Sequence, residues 1–374
     1  MKISELISSF EAQVPISLQE SYDNSGLQLG NTDRECQGVL LAIDVTEAVL
    51  KEAVDLGCNV IFTHHPLLFH SLRRITTETY IERCVTFALK HDLVIYSAHT
   101  SLDNSPLGPN FYWARRMGLR DVEVLDPKSD YHYKVVTYAP RQDADAIRAA
   151  LAEAGAGRQG EYGGCSFSVD GEGRFTPSAD AHPHCGAPGE AHVEPETCIT
   201  VLVDKGRLSS VLSALRSAHP YEEPAIDVLP VSYQSSEVGS GVIGDLPRPM
   251  TLEEIVDGMS DFQPVERVCH SRYDGRPVSR VAFCSGSGAS LYRRAGRMGA
   301  ELFITGEAKY NDFYDATDYT VLATYGHYES ELMTQDILGE ILSEKIGTFA
   351  LHYSVNSANP VNYLERGCNI LEIN

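Results

Sequence analysis

Short apolar runs alternate with amphipathic segments in the first third of the chain. From residue 38 the runs GVLLAID, CNVIFTH and LVIYSAH are separated by TEAVLKEAVDLG and YIERCVTFALKHD, whose apolar residues recur at helical spacing. The runs are rich in Val, Ile and Leu with little polar alternation, as expected for parallel strands buried on both faces. The pattern predicts a β-α-β-α-β arrangement, with Thr46 capping the first helix.

The same alternation returns near the carboxyl end, where VSRVAFCSG, AELFITG, YTVLATYG and TFALHYSV are typical of strands. Residues 132–233 differ: a strand and a helix precede a Gly- and Pro-rich stretch, and then strand, helix and strand follow. That order is the ferredoxin-like pattern of an inserted α+β domain. We therefore predict a discontinuous α/β domain with largely parallel sheets over residues 1–131 and 234–374, interrupted by an insert over 132–233.

The composition is that of an ordinary globular protein. Of the 374 residues, 43% are hydrophobic and 22% charged, and no stretch approaches the roughly 20 apolar residues that cross a bilayer. The first residues lack the basic start and uninterrupted apolar run of a secretory signal. The nine cysteines are scattered and form no CxxC motif, which argues against a disulfide framework. These features predict a soluble, cytoplasmic protein without membrane partners.

The charge balance limits the classes of binding partner. The formal net charge of −22 repels a phosphate backbone over most of the surface, so we predict no broad nucleic-acid binding. A local cationic site, such as a pair of bound divalent ions, would still attract a small anionic substrate.

Histidines end three of the apolar runs. His64 and His65 follow NVIFT, His99 follows LVIYSA, and His327 follows TVLATYG. Ligand sites of an open parallel sheet lie beyond the carboxyl ends of its strands. We therefore expect these histidines to meet at one sheet edge.

Carboxylates follow two of these histidines at a spacing of four. Asp103 follows His99, and Glu331 follows His327 at the start of a predicted helix, where residues i and i+4 share a face. Any one of these residues alone is more often a hydrogen-bonded structural residue than a ligand. Their convergence favours a metal site, and a donor set of histidines and carboxylates suits Zn, Fe, Mn, Co or Ni better than Ca or Mg.

Other polar residues have more than one interpretation. Asp23, in DNSG, lies in a turn that is either close to the site or unrelated to it. Glu307, in TGEAKY, either lines the cleft or forms a solvated salt bridge. In the insert, His182, His184 and Cys185 lie in a Pro/Gly/Ala loop without a partnering framework. We therefore favour no metal at those three residues.

The motifs DNSGLQLG, FTHHPLLF, AHTSLDN, FCSGSGAS, TGEAKY and GHYESE are specific in combination. Together they resemble the Nif-three-like family of dinuclear metal proteins, commonly labelled GTP cyclohydrolase I type 2 homologues. The segments GAGRQGEYGGCSF, GEGRFTP and AHPYEEPA resemble the insert of the longer bacterial members, a domain similar to the PII and CutA proteins.

The resemblance implies a two-lobed α/β body and a toroidal homohexamer whose sites face an internal cavity. It also implies a pair of divalent ions per chain, bridged by Glu331, with ligands at His64, His65, Asp103, His327 and Glu331. His99 falls close by without a ligand role. Family members often carry a histidine where this chain has Asn311, so no proton-transfer role is carried over to that position.

These observations predict a metal-dependent hydrolase that activates a metal-bridging water on a nucleotide or phosphoester substrate. His99 is the predicted proton shuttle, since histidine exchanges protons near neutral pH; the alternative is that it orients Asp103. The competing hypothesis is a non-enzymatic protein for metal storage, delivery or regulation, whose PII-like insert senses a ligand.

Overall fold

The computed structural model describes residues 1–232, 235–343 and 350–363. Two compact units are present: residues 1–126 with the chain from 240 onward form one, and residues 127–239 form the other. The second unit extends slightly beyond the predicted insert. The predicted insert end at residue 233, and the start of the last predicted strand at Thr348, lie outside the described residues.

The strands are β1 (Gly26–Leu29), β2 (Gly38–Ala42), β3 (Val60–Thr63), β4 (Val94–Ser97), β5 (Arg120–Pro127), β6 (His132–Pro140), β7 (Ser166–Phe175), β8 (His192–Asp204), β9 (Ile226–Val231), β10 (Gly239–Met250), β11 (Cys269–His270), β12 (Val278–Cys284), β13 (Leu302–Thr305), β14 (Val321–Thr324) and β15 (Ala350–Tyr353). The α-helices are α1 (Ile3–Glu11), α2 (Glu47–Asp55), α3 (Tyr80–Lys90), α4 (His99–Asp103), α5 (Pro109–Arg116), α6 (Ala144–Glu153), α7 (Leu208–Ala218), α8 (Leu252–Ser260), α9 (Tyr292–Arg297), α10 (Tyr310–Asp315), α11 (His327–Glu331) and α12 (Thr334–Ser343).

The first sheet has the strand order β1-β4-β3-β2-β15. Strands β15, β2, β3 and β4 run parallel, and β1 pairs antiparallel with β4. Helix α2 begins as predicted, because the Thr46 hydroxyl accepts a hydrogen bond from the Val49 amide at 3.2 Å. The β-α-β-α-β prediction for this region is confirmed.

The second sheet has the order β11-β14-β13-β12-β10-β5 and is more mixed than predicted. Strands β12, β13 and β14 are parallel, whereas β10 pairs antiparallel with β12 and β11 pairs antiparallel with β14. The α/β fold class is confirmed, with parallel and antiparallel pairs in both sheets.

The main core contains residues of both sheets. Alternate residues of β2, such as Val39 and Leu41, belong to the same buried cluster as Val281 and Phe283 of β12. The intervening residues of β2 pack in a separate cluster with α2 and α3. Burial on both faces explains why the strands are continuously apolar. The main cluster also contains residues of α1, α5, α8 and α12, so both sheets and these helices share one core.

The second unit consists of β6, α6, β7, β8, α7 and β9, in that chain order. Its sheet has the order β7-β8-β6-β9, with antiparallel neighbours. One face is covered by α6 and α7, whose apolar residues pack on Val135, Ile199 and Val201. The relationship of this unit to PII and CutA stays a prediction.

No helix in the described part of the chain combines the length and the apolar character that crossing a bilayer requires.

Candidate metal centre

Strand ends of the first sheet deliver three of the predicted histidines, His64, His65 and His99. Strand β3 ends at Thr63, so His64 and His65 follow immediately. The next parallel strand, β4, ends two residues before His99, whose amide donates to the His64 carbonyl at 2.9 Å. This contact holds the two strand ends together.

The second sheet supplies His327 and Glu331. Strand β14 ends at Thr324, and α11 runs from His327 to Glu331 after Gly326, which has a φ of +119°. The expectation of a single sheet edge was wrong. The histidines follow strands of two different sheets, which contribute side chains to one buried core.

Glu331 is the centre of the cluster, and its two oxygens face different partners. Its Oε1 lies 3.5 Å from His64 Nε2, which is also 3.7 Å from Asp103 Oδ1. Its Oε2 lies 2.9 Å from His65 Nε2 and 3.1 Å from His327 Nε2. The five residues named as ligands from the sequence therefore lie together, in two groups that share one carboxylate.

Several buried polar atoms here lack a hydrogen-bond partner among the residues that the structure describes. They are both ring nitrogens of His64 and Oδ1 of Asp103. Unsatisfied buried polar atoms are costly unless a ligand, ion or water satisfies them. Imidazole nitrogens and carboxylate oxygens that face one another are a suitable donor set for divalent metal, so these residues fit such ions. The ligand atoms of His64, His65 and Glu331 lie within 4.8 Å of one another.

Two carboxylates contact the Nδ1 atoms of His65 and His327, on the side of each ring away from Glu331. His65 Nδ1 lies 2.8 Å from Asp44 Oδ1, and His327 Nδ1 lies 3.3 Å from Glu307 Oε1. Such contacts fix the imidazole rotation and leave Nε2 directed at the centre. Sequence reasoning missed Asp44, although it follows β2 and obeys the same strand-end rule. Glu307 lines the cluster through His327 and is also exposed to solvent, so the two interpretations of that residue both apply.

His99 lies beside the centre and is bound by Asp23. Its Nδ1 is 2.5 Å from Asp23 Oδ1, and its ring centroid is 5.6 Å from those of both His64 and His65. Its φ of +33° is rare for a residue with a side chain. Although burial opposes ionisation of Asp23, hydrogen bonds from His99, Thr100 and Ser25 hold its pKa well below the ordinary value. Asp23 therefore belongs to the site rather than to an unrelated turn.

The histidines differ in their protonation in the absence of metal. Burial lowers the pKa of His64 to about 4. For His65, hydrogen bonds with Asp44 and Glu331 outweigh burial and raise the pKa to about 10. For His327, the contact with Glu331 outweighs burial and raises the pKa to about 9. His65 and His327 therefore carry protons at neutral pH when no ion is bound.

The two buried carboxyl groups also differ. Burial raises the pKa of Asp103 well above its ordinary value, and the charge of Glu331 raises it further. The pKa of Glu331 is low in spite of burial, because His64, His327 and His65 surround it. Glu331 is thus the ionised carboxylate of the pair.

The molecule defined so far is an α/β protein with a buried cluster of histidines and carboxylates of the kind that holds divalent metal. The sequence profile of Duf34/NIF3 (NGG1p interacting factor 3) matches residues 1–360, and the chain belongs to this family. The predicted family membership is confirmed.

Relatives of similar length support the assignment. The chain is 37% identical over 355 residues to a protein of Halalkalibacterium halodurans named GTP cyclohydrolase 1 type 2 homolog, covering 92% of this chain and 95% of that protein. A Staphylococcus epidermidis protein of the same name is 31% identical over 368 residues, covering 97% and 100%. The crystal structure of a Bacillus cereus protein related to NIF3 superposes with a TM-score of 0.81 at 32% identity, covering 97% and 99%.

Proposed function

We propose that this chain binds a pair of divalent metal ions and uses them to hydrolyse a small anionic substrate, of the nucleotide or phosphoester class. One observation supports this proposal above all: the two carboxylate oxygens of Glu331 face different histidines. Its Oε1 faces His64, and its Oε2 faces His65 and His327. A carboxylate with separate partners on each oxygen is suited to bridging two ions.

The ligand assignment follows from these distances. His64, Asp103 and Oε1 of Glu331 would hold one ion, and His65, His327 and Oε2 of Glu331 the other. When bound, such ions supply Lewis acidity, which makes water a nucleophile near neutral pH and polarises the bond under attack. Asp44 and Glu307 keep the rings of His65 and His327 aimed at the centre.

His99 is the proposed proton carrier. It lies beside the ligand histidines, and its Nδ1 contact with Asp23 leaves Nε2 as the nitrogen available for proton exchange. An ionised Asp23 stabilises the imidazolium that forms when His99 accepts a proton. No ligand role is proposed for His99, so it can exchange protons while the other five residues hold the ions.

Elemental analysis of the purified, metal-loaded protein tests the ligand assignment. Glu331→Gln should lose at least one of the two ions, because a neutral amide is a poor bridging ligand. Glu329→Gln is the matched control: this buried carboxylate lies in the same helix, but its Oε1 accepts from Asn359 at 2.8 Å. Two ions retained in Glu331→Gln would defeat the assignment.

A panel of nucleotides and phosphoesters, offered to the loaded protein, tests the hydrolase proposal. We expect turnover that is lost in His99→Ala with metal content unchanged, and retained in His91→Ala, whose ring stacks on Phe87. No turnover on any compound, combined with readily exchanged metal, would instead support storage or delivery of metal.

A further inference from the structure

The face of the second unit's sheet that α6 and α7 leave uncovered bears a row of polar side chains. Ile199, Val201 and Val203 of β8 pack toward the helices. Side chains alternate along a strand, so the even-numbered residues project from the opposite face. At the start of β8 this row comprises His192, Glu194, Glu196 and Cys198.

A cavity of about 640 Å³ lies over this face. Two glycines of β7, Gly171 and Gly173, pair with Glu196 and Glu194 and place no side chain opposite them. A Cβ at Gly173 would lie 2.1 Å from Glu196 Oε2, so this glycine makes room for the carboxylate. The loop between β7 and β8 contributes His184 to the cavity wall.

We propose that Cys185, for which the sequence alone favoured no metal, forms a separate binding site for a single Zn²⁺ ion with His192 and Glu194. One ligand atom from each residue lies within 4.8 Å of the others, and all three side chains are partly buried. His192 Nε2 is 2.8 Å from Glu194 Oε2, and Cys185 Sγ is 3.9 Å from the Tyr221 hydroxyl. The site belongs to the second unit and does not depend on the proposed hydrolase.

The backbone of the loop between β7 and β8 brings the Cys185 thiol close to β8. Gly186 has a φ of +81°, and a Cβ there would lie 2.9 Å from His192 Cγ. Both features require glycine beside Cys185, because a side chain would push the loop away from His192. An ion held by all three residues would tie this loop to β8.

The donor set selects the class of metal. One sulfur, one imidazole nitrogen and one carboxylate oxygen suit Zn²⁺, whereas Mg²⁺ and Ca²⁺ prefer oxygen alone. The acidic surroundings favour a cation: Glu196 accepts from Tyr221 at 2.7 Å, and Glu222 accepts from the His182 amide at 3.0 Å. Three protein ligands leave one tetrahedral position for water or a small ligand.

Alkylation of the full-length protein by iodoacetamide, mapped by peptide mass spectrometry, tests the site directly. Free Zn²⁺ at about ten times the dissociation constant should slow modification of Cys185 about tenfold, because only the unoccupied fraction reacts. Mg²⁺ should give no protection, and the exposed Cys269 should react equally in all samples. The alkylation rate is measured for Cys185 alone, so metal bound at the first centre does not affect the result.

His192→Ala and His192→Gln should both remove the protection of Cys185, with thermal melts verifying that each variant is folded. An equal Cys185 reaction rate with and without Zn²⁺ in the wild type would overturn the proposal. So would full protection in a folded His192 variant.

Cobalt supplies a second, spectroscopic readout. Co²⁺ bound through a thiolate gives a near-ultraviolet charge-transfer band, which we expect in the wild type and in Cys198→Ser but not in Cys185→Ser. Cys198 is the matched control because it projects from the same face of β8 without belonging to the three-residue site. A band that persists in Cys185→Ser would show that the thiolate comes from elsewhere and would refute the assignment.

Discussion

Replacing Gly286 by alanine should damage the metal centre through a single methyl group. A Cβ at this position would lie 2.2 Å from Glu331 Oε1, whereas ordinary contacts begin at 3.4 Å. The carboxylate must therefore move by about 1 Å, although metal-ligand distances tolerate only about 0.2 Å. Glu331 is 4% exposed and cannot swing into solvent. We expect the affinity for metal to fall at least about 100-fold.

The backbone effect of the substitution needs its own control. Gly286 has a φ of +62°, so alanine there also costs about 1–2 kcal/mol in the free energy of unfolding. Gly57 has a φ of +72° and nothing within 4 Å of an added Cβ. Gly57→Ala should therefore show a similar backbone cost without any effect on metal binding.

The assay combines metal content after dialysis at limiting Zn²⁺ with urea unfolding of the metal-free proteins. Unfolding is followed by the fluorescence of Trp113, the single tryptophan of the chain. Wild-type metal binding by Gly286→Ala would contradict the predicted clash with Glu331. An equal loss of metal from Gly57→Ala would also contradict it, because the effect would then come from the backbone.

Three further outcomes are expected. Asp44→Asn should weaken metal binding about 10- to 100-fold in competition with a chelator, because the His65 ring loses its orienting carboxylate; unchanged affinity would contradict this. The metal-free protein should lose stability in urea titrations as pH rises from 6.5 to about 9–10, because the raised pKa values of His65 and His327 stabilise the fold only while both are protonated; a flat profile would contradict this. Trp113→Leu should lower the free energy of unfolding by about 2–4 kcal/mol, measured by circular dichroism, because Trp113 is fully buried and stacks on Phe283 at 4.5 Å; a change under 1 kcal/mol would argue against tight packing there.

Local rules indicated several of the residues that the structure brings together. His64 and His65 follow a continuously apolar run, and the position of ligands beyond strand ends is a general property of parallel sheets. Helical periodicity placed His327 and Glu331 on one face. Both rules act over a few residues and can therefore be applied to one sequence without knowledge of the whole fold.

Contacts between distant segments could not be predicted in the same way. His99 and Asp23 are separated by 76 residues, and His65 and His327 by 262. Nothing in the local spacing indicates that β14 belongs to a different sheet from β3, since both are short apolar strands followed by histidine. The positive φ of His99 is likewise imposed by packing rather than by its neighbours in sequence. Tertiary contacts decide these features.

In the proposed metal centre, the protonation of the metal-free cluster would link metal binding to pH. Protons on His65, His327 and Asp103 offset the negative charge gathered around the buried Glu331, because their pKa values are all raised. Those atoms can bind an ion only after the protons leave, so divalent ions must replace protons. Calorimetry in buffers of different ionisation enthalpy should therefore detect proton release on metal binding near neutral pH, with affinity rising as pH increases. Binding without proton release would mean that the ions occupy other side chains.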